Sequence, residues 1–136
     1  ATPDVYVVNF KNEKNTDSQT LDSQLYTAIS MTDANVEHVI IDTTTAARWE
    51  KGAHEAFDRD IVPVFNKWVG LPGFAAIVDA KSKRVLGCIN PNFDASEMAR
   101  EIKKLSAQVT GKAYMSNTAF SGKTTQCPAA FNTPPN

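Results

Sequence analysis

The stretch Val69-Gly70-Leu71-Pro72-Gly73-Phe74-Ala75-Ala76-Ile77-Val78-Asp79 decides how the rest of the chain is read. Two glycines and a proline stop whatever helix precedes them, and an unbroken apolar run then reaches an acidic residue. This predicts a helix that ends before Gly70 and a buried strand over Phe74 to Asp79. Beyond it, Ala80 to Lys83 is a polar turn and Arg84 to Ile89 a second apolar run, which predicts an antiparallel hairpin.

Toward the N-terminus, Trp49, Ala53, Ala56, Phe57 and Ile61 recur at helical spacing from Ala46 onward, and Val64, Phe65 and Trp68 continue the pattern. Pro63 cannot sit inside a regular helix, because it lacks an N–H and its ring clashes with the preceding turn. Two helical segments meeting near Pro63, or one kinked helix, are expected. Thr43-Thr44-Thr45 offers the cap, and Val36 to Asp42, with Val39-Ile40-Ile41 at its centre, reads as a buried strand of the parallel type. Thr16 and Gln19 have the spacing of a capping box for a helix over about residues 17–32, with Leu21, Leu25, Ala28 and Ile29 on one face. Val5 to Phe10 is a further buried strand. On the C-terminal side, Asn90-Pro91-Asn92 breaks the sheet, and Asp94 or Ser96 caps a last helix whose buried stripe is Met98, Ile102 and Leu105. The expected fold is α/β in the order β-α-β-α-β-β-α, with a central mixed sheet of about four strands flanked by helices, because right-handed crossovers make the first two strands parallel.

The 136 residues are 42% apolar and 21% charged, enough for one core and incompatible with disorder throughout. Fourteen basic residues against fifteen acidic ones leave a net charge of −1 and no basic field for a phosphate backbone, so nucleic acid is not an expected partner. No apolar run approaches the roughly 20 residues that span a bilayer. Residues 106–136 differ from the rest: they contain no acidic residue, only Lys112 and Lys123 as basic ones, and many Ser, Thr, Asn, Gln, Gly and Pro. They read as a loop-rich C-terminal extension to a folded domain over 1–105.

Cys88 and Cys127 are the two cysteines. An even pair with one member in a polar tail suits a disulfide formed in an oxidising compartment, which would tether the extension; the alternative is a buried Cys88 and an idle thiol at Cys127. Ala1-Thr2-Pro3, with no Met and no leader, fits a chain trimmed of an export signal, although any other trimming would look the same. A periplasmic or secreted location is the expectation.

The element order resembles the thioredoxin fold over about residues 4–105. Val69-Gly70-Leu71-Pro72 before Phe74-Ala75-Ala76-Ile77-Val78-Asp79 looks like that family's loop, in which a cis proline precedes the third core strand, and Val85-Leu86-Gly87 looks like the glycine-bearing strand beside it. The departure lies at the start of the first helix. Thioredoxin-like oxidoreductases carry Cys-x-x-Cys there, where the positive helix end stabilises a thiolate, whereas this chain reads Lys11-Asn12-Glu13-Lys14-Asn15-Thr16-Asp17-Ser18-Gln19. Asp17 or Ser18 stands in place of the nucleophile, and neither exchanges disulfides, so redox activity at the usual site is not expected. The resemblance implies a non-catalytic domain that keeps peptide contact: an exported protein-binding, assembly or accessory domain, in a bacterial envelope system for example. Its partner would be a protein or extended peptide segment, met by Lys11, Asn12, Asp17, Ser18, Trp68, Leu71, Pro72 and Gly73 through exposed backbone in the manner of strand addition. Pro72 can equally have the purely structural task of setting the turn into the strand.

The alternative function is a thiol–disulfide oxidoreductase using Cys88 and Cys127, but Arg84 is the nearest basic residue in sequence to Cys88, and little there would depress a thiol pKa. Glu50, His54 and Asp58 share a helix face that can bind a divalent metal or position a general base, or can be an ordinary solvated face with local ion pairing; a small-molecule or metal-binding module is the third reading of the chain, and no metal or cofactor is expected. His38 reads as an ordinary strand-end residue. Ser121-Gly122-Lys123-Thr124 lacks the earlier glycine of a phosphate loop, Asn117 standing in its place. Trp49, Phe57, Phe65 and Trp68 form an aromatic stripe of core residues, with Trp49 and Trp68 expected to be partly exposed. Tyr114, Phe120 and Phe131 offer the extension a means of docking over the sheet, and its composition fits a mobile arm equally well.

Overall fold

The structure is a computed structural model and describes residues 2–111 and 126–132. Its elements are β1 (Val5–Lys11), α1 (Thr16–Met31), β2 (Val36–Asp42), α2 (Ala46–Asp58), α3 (Val62–Trp68), β3 (Phe74–Asp79), β4 (Val85–Ile89) and α4 (Ala95–Thr110). The sheet order is β2-β1-β3-β4, with β1 parallel to β2 and antiparallel to β3, and β3 antiparallel to β4.

β1 is buried on both faces, which is why its sequence is apolar from Val5 to Val8 rather than alternating, with Asn9 its one buried polar residue. Val5 and Val7 join Leu21, Leu25, Met98 and Ile102 in the core beneath α1 and α4. Tyr6, Val8 and Phe10 point the other way, into a core closed by Ala56 of α2 and by Val64 and Trp68 of α3. The mixed sheet thus lies between two helical layers, and among the described residues no helix is long and apolar enough to cross a membrane.

Local chemistry sets the boundaries. The α1 cap is Asn15, whose side chain accepts from the Ser18 N–H at 2.8 Å, so the expected Thr16–Gln19 box does not form; Gln19 reaches back instead to the Glu13 carbonyl at 2.6 Å. Thr45 caps α2. Pro63 falls in the first turn of α3, where an absent N–H removes no helical bond, so the long apolar pattern resolves into two helices. Asp94 caps α4 in a reciprocal box with Glu97, and that helix runs past residue 105 to Thr110 before Gly111 ends it with a left-handed φ of 72°.

The turn into β3 uses two left-handed glycines, Gly70 and Gly73, each with φ of 97°. No cis peptide bond occurs among the described residues, so Leu71–Pro72 is trans and differs here from the loop that the resemblance implies. The reversal is carried by the glycines and by two internal bonds, Leu71 N–H to the Trp68 carbonyl and Gly73 N–H to the Phe10 carbonyl, both 2.9 Å.

Candidate functional site

β1 ends, β3 starts and β4 ends at the same edge of the sheet, because β3 runs against both neighbours. Three connections therefore converge there: the loop and first turn of α1 after Lys11, the Gly70–Gly73 turn, and Asn90-Pro91-Asn92. Between them lies a cleft of about 390 Å³ whose wall includes Asp17, Leu71, Pro72, Asn90, Pro91 and Pro128. The lining is rich in proline, with one carboxylate and side-chain amides as its polar groups. Gly73 is the point of closest approach: a Cβ placed on it would lie 3.0 Å from the Asp17 Cβ.

The residues expected to meet a partner separate into two groups. Asp17 is exposed in the first turn of α1 and lines the cleft with Leu71, Pro72 and Gly73. Ser18 is buried; its hydroxyl accepts from the Asn12 N–H at 2.9 Å and so holds the loop closed rather than facing outward. Asn12 in turn accepts from the Lys14 N–H, and the Lys11 ammonium pairs with Asp22 at 3.4 Å. Trp68 also departs from expectation. It is fully buried, with its ring edge-on to Phe10 and Phe74, because the face of α3 that carries it packs onto the sheet. Trp49 is 42% exposed as expected, and Phe57, read as core, is 74% exposed.

Cys127 is disulfide-bonded to Cys88 in β4, as expected, and so tethers the extension. The hydrogen bonds of residues 126–132 are what sequence reasoning missed. The Trp68 indole N–H donates to the Pro128 carbonyl at 3.1 Å. Phe131 and Asn132 N–H groups both donate to the Lys67 carbonyl, and the Asn132 side-chain amide donates to the Asn66 and Val69 carbonyls at 3.0 and 2.9 Å. This strap satisfies carbonyls at the end of α3 that have no partner within the helix. Phe131 is the docking aromatic that the structure describes; Tyr114, Phe120 and Ser121 to Thr124 lie outside the described residues.

On the opposite face, His38 lies inside β2 rather than at its end. Its Nε2 is 3.2 Å from Nδ2 of the buried Asn9, which also donates to Asp22 at 3.0 Å, while the Tyr26 ring meets the imidazole edge-on. Burial pushes the His38 pKa below the usual histidine value; Asp22 opposes the shift and Lys11 adds to it. Asn9 gave no periodic signal, being a lone amide in an apolar strand. On α2, His54 approaches Glu50 at 3.8 Å on an exposed surface, and among the described residues no group of three or more His, Cys, Asp or Glu side chains is placed to hold a metal.

Comparison of the chain with models of known protein families, with curated proteins and with solved structures gave no match.

Proposed function

We propose that this chain is a thioredoxin-like domain of an exported protein that binds an extended segment of a protein partner, as an assembly or accessory factor in an envelope system, without thiol chemistry at the start of α1. The observation that carries the reading is the cleft in which Asp17, at the helix start where a nucleophilic cysteine would stand, faces the Leu71-Pro72-Gly73 turn. The element order, the parallel β1–β2 pair and the antiparallel β3–β4 hairpin support it; the trans Leu71–Pro72 bond is where the chain departs from the family's pattern. The disulfide supports export to an oxidising compartment.

The mode of contact follows from the bonding. Leu71 and Gly73 N–H groups are already bonded within the fold and Pro72 has none, so these three residues have no donor left for the strand addition that the resemblance implies. A bound segment would rest on the apolar surfaces of Leu71, Pro72 and Pro91 and take polar contacts from the side chains of Asp17 and Asn90. The test is an array of extended peptides probed with the full chain, both oxidised and reduced, alongside Leu71→Asp. Signals on proline-containing peptides that Leu71→Asp abolishes, with its circular dichroism unchanged, are expected. No Leu71-dependent signal in either redox state would sink the reading.

A further inference from the structure

The strap over Cys127–Asn132 makes the contacts of a bound peptide rather than those of a core element. Ala129, Ala130 and Asn132 are exposed and Phe131 is 54% exposed, so little apolar surface holds it. It is held by one acceptor, the Pro128 carbonyl on the Trp68 indole, by two backbone donors on the Lys67 carbonyl, and by the Asn132 amide bridging Asn66 and Val69. Its one ring, Phe131, lies where a side chain at Gly70 would reach: a Cβ there would be 3.3 Å from the ring and 4.0 Å from Trp49. The groove under the strap thus reads a carbonyl, then an aromatic residue and an Asn three and four positions later. Trp68 and the α3 carbonyls keep these requirements when the strap leaves, because a buried donor and a helix end both need partners.

The tether is also accessible. Cys88 is buried but Cys127 is only half-buried, and a crevice of about 310 Å³ lined by both cysteines, Phe74 and Pro128 lies beside the bond. Pro128 lines this crevice and the Pro72 cleft alike.

We propose that the strap is a tethered ligand: it occupies a peptide groove at the end of α3, and reduction of Cys88–Cys127 by an external dithiol frees that groove for a partner segment bearing the pattern Pro-x-x-Phe-Asn. A thiolate of the dithiol attacks Sγ of Cys127 and forms a mixed disulfide, with Cys88 leaving as a thiolate that takes up a proton. The second thiol of the donor then closes its own disulfide and releases Cys127 as a thiol. Two electrons and two protons pass from the dithiol to the two cysteines. The strap's advantage over a partner falls from that of a covalently closed loop to that of a segment joined to the fold through the chain alone, whose effective concentration a free peptide can match. The inference rests on the peptide-binding reading above and adds the peptide's chemistry and its latch.

The probe is a fluorescein-labelled Gln-Ser-Pro-Ala-Ala-Phe-Asn peptide, followed by anisotropy against the full chain. Affinity for the variant carrying Cys88→Ser, Cys127→Ser, Phe131→Ala and Asn132→Ala should exceed that for the oxidised chain by about tenfold or more. Adding Trp68→Phe should reverse the gain. Equal affinity for the two proteins, or no saturable binding by the variant, overturns the inference. Hydrogen exchange on the unsubstituted chain gives a second readout that requires no variant to fold. Reduction should speed exchange at the Phe131 and Asn132 amides while leaving Val8 and Ile77 protected, and unchanged protection of the strap also overturns the inference. A Leu71-dependent array signal without peptide capture sinks the strap alone; loss of the array signal in both redox states sinks the reading beneath it.

Discussion

Trp68 and Pro128 are sixty residues apart in sequence and joined by one hydrogen bond, indole Nε1 to carbonyl oxygen at 3.1 Å. The ring is wholly enclosed between Phe10 and Phe74, with the Lys67 ammonium 4.6 Å from its centroid, so the nitrogen has no route to bulk water while the strap is in place. The strap's bonds at the end of α3 are made to backbone carbonyls, whereas this one is made by a side-chain donor buried in the core. Trp68→Phe keeps an aromatic ring but removes that donor and part of the volume. A loss of about 2–3 kcal/mol is expected, read as a lower urea midpoint at unchanged slope.

The disulfide acts on the same coupling from the covalent side. Cys88 and Cys127 are 39 residues apart, and closing a loop of that length removes denatured-state entropy worth about 4 kcal/mol in the chain-entropy model. The Cys88→Ala/Cys127→Ala chain should unfold at a markedly lower temperature than the oxidised protein, and close to the temperature of the reduced protein. Calorimetry on the three samples checks this. A double variant as stable as the oxidised chain would show that the noncovalent contacts of the strap suffice.

Gly73 tests how tightly the cleft is built. Its φ of 97° disfavours any side chain, and a Cβ would come within 3.0 Å of the Asp17 Cβ in the rigid first turn of α1. Gly73→Ala should cost about 1–3 kcal/mol and shift the amide resonances of Asp17 and Ser18. Gly111→Ala has the same left-handed strain, at φ 72°, but a Cβ there would meet nothing within 4 Å among the described residues, so it should cost less. Equal costs at the two positions would mean that crowding against Asp17 contributes nothing.

The same residues show what was legible in the sequence. β1 and β3 were readable because burial on both faces makes them largely apolar runs. β2 was readable only from its Val39-Ile40-Ile41 centre, and it is not the fully buried strand expected: it lies at the edge of the sheet, so Val36 to His38 and Ile40 are only partly covered. Pro63 and Asp94 announced helix starts because missing donors and capping oxygens act locally. Trp68 was misplaced because a seven-residue helix has too few turns for its pattern to say which face is covered. Asn15 displaced Thr16 as a cap because two adjacent residues had the right chemistry and only the path of the preceding loop selects between them. The cleft was visible only as two loops, and its Asn90 and Pro128 walls are products of topology and of the disulfide. Most of the strap's bonds end on backbone carbonyls, which every residue carries, so no composition or spacing signals them.

The buried polar group under α1 gives a prediction for pH. Asn9 donates through Nδ2 to both Asp22 and His38, and the imidazole nitrogen can accept that bond only while it carries no proton. Titratable groups reach His38 from two elements: Lys11 on β1, and Asp22 and Tyr26 on α1. Burial dominates and lowers the folded-state pKa below 6.5, so in the window just beneath 6.5 the unfolded chain binds more protons than the folded one. Stability must then rise with pH across that window and level off above it. Urea midpoints measured on both sides of 6.5 should show the rise, and His38→Gln should flatten this part of the profile while leaving the acid limb set by the carboxylates. An unchanged slope in His38→Gln would move the effect to another group and leave His38 neutral or charged without consequence for the fold.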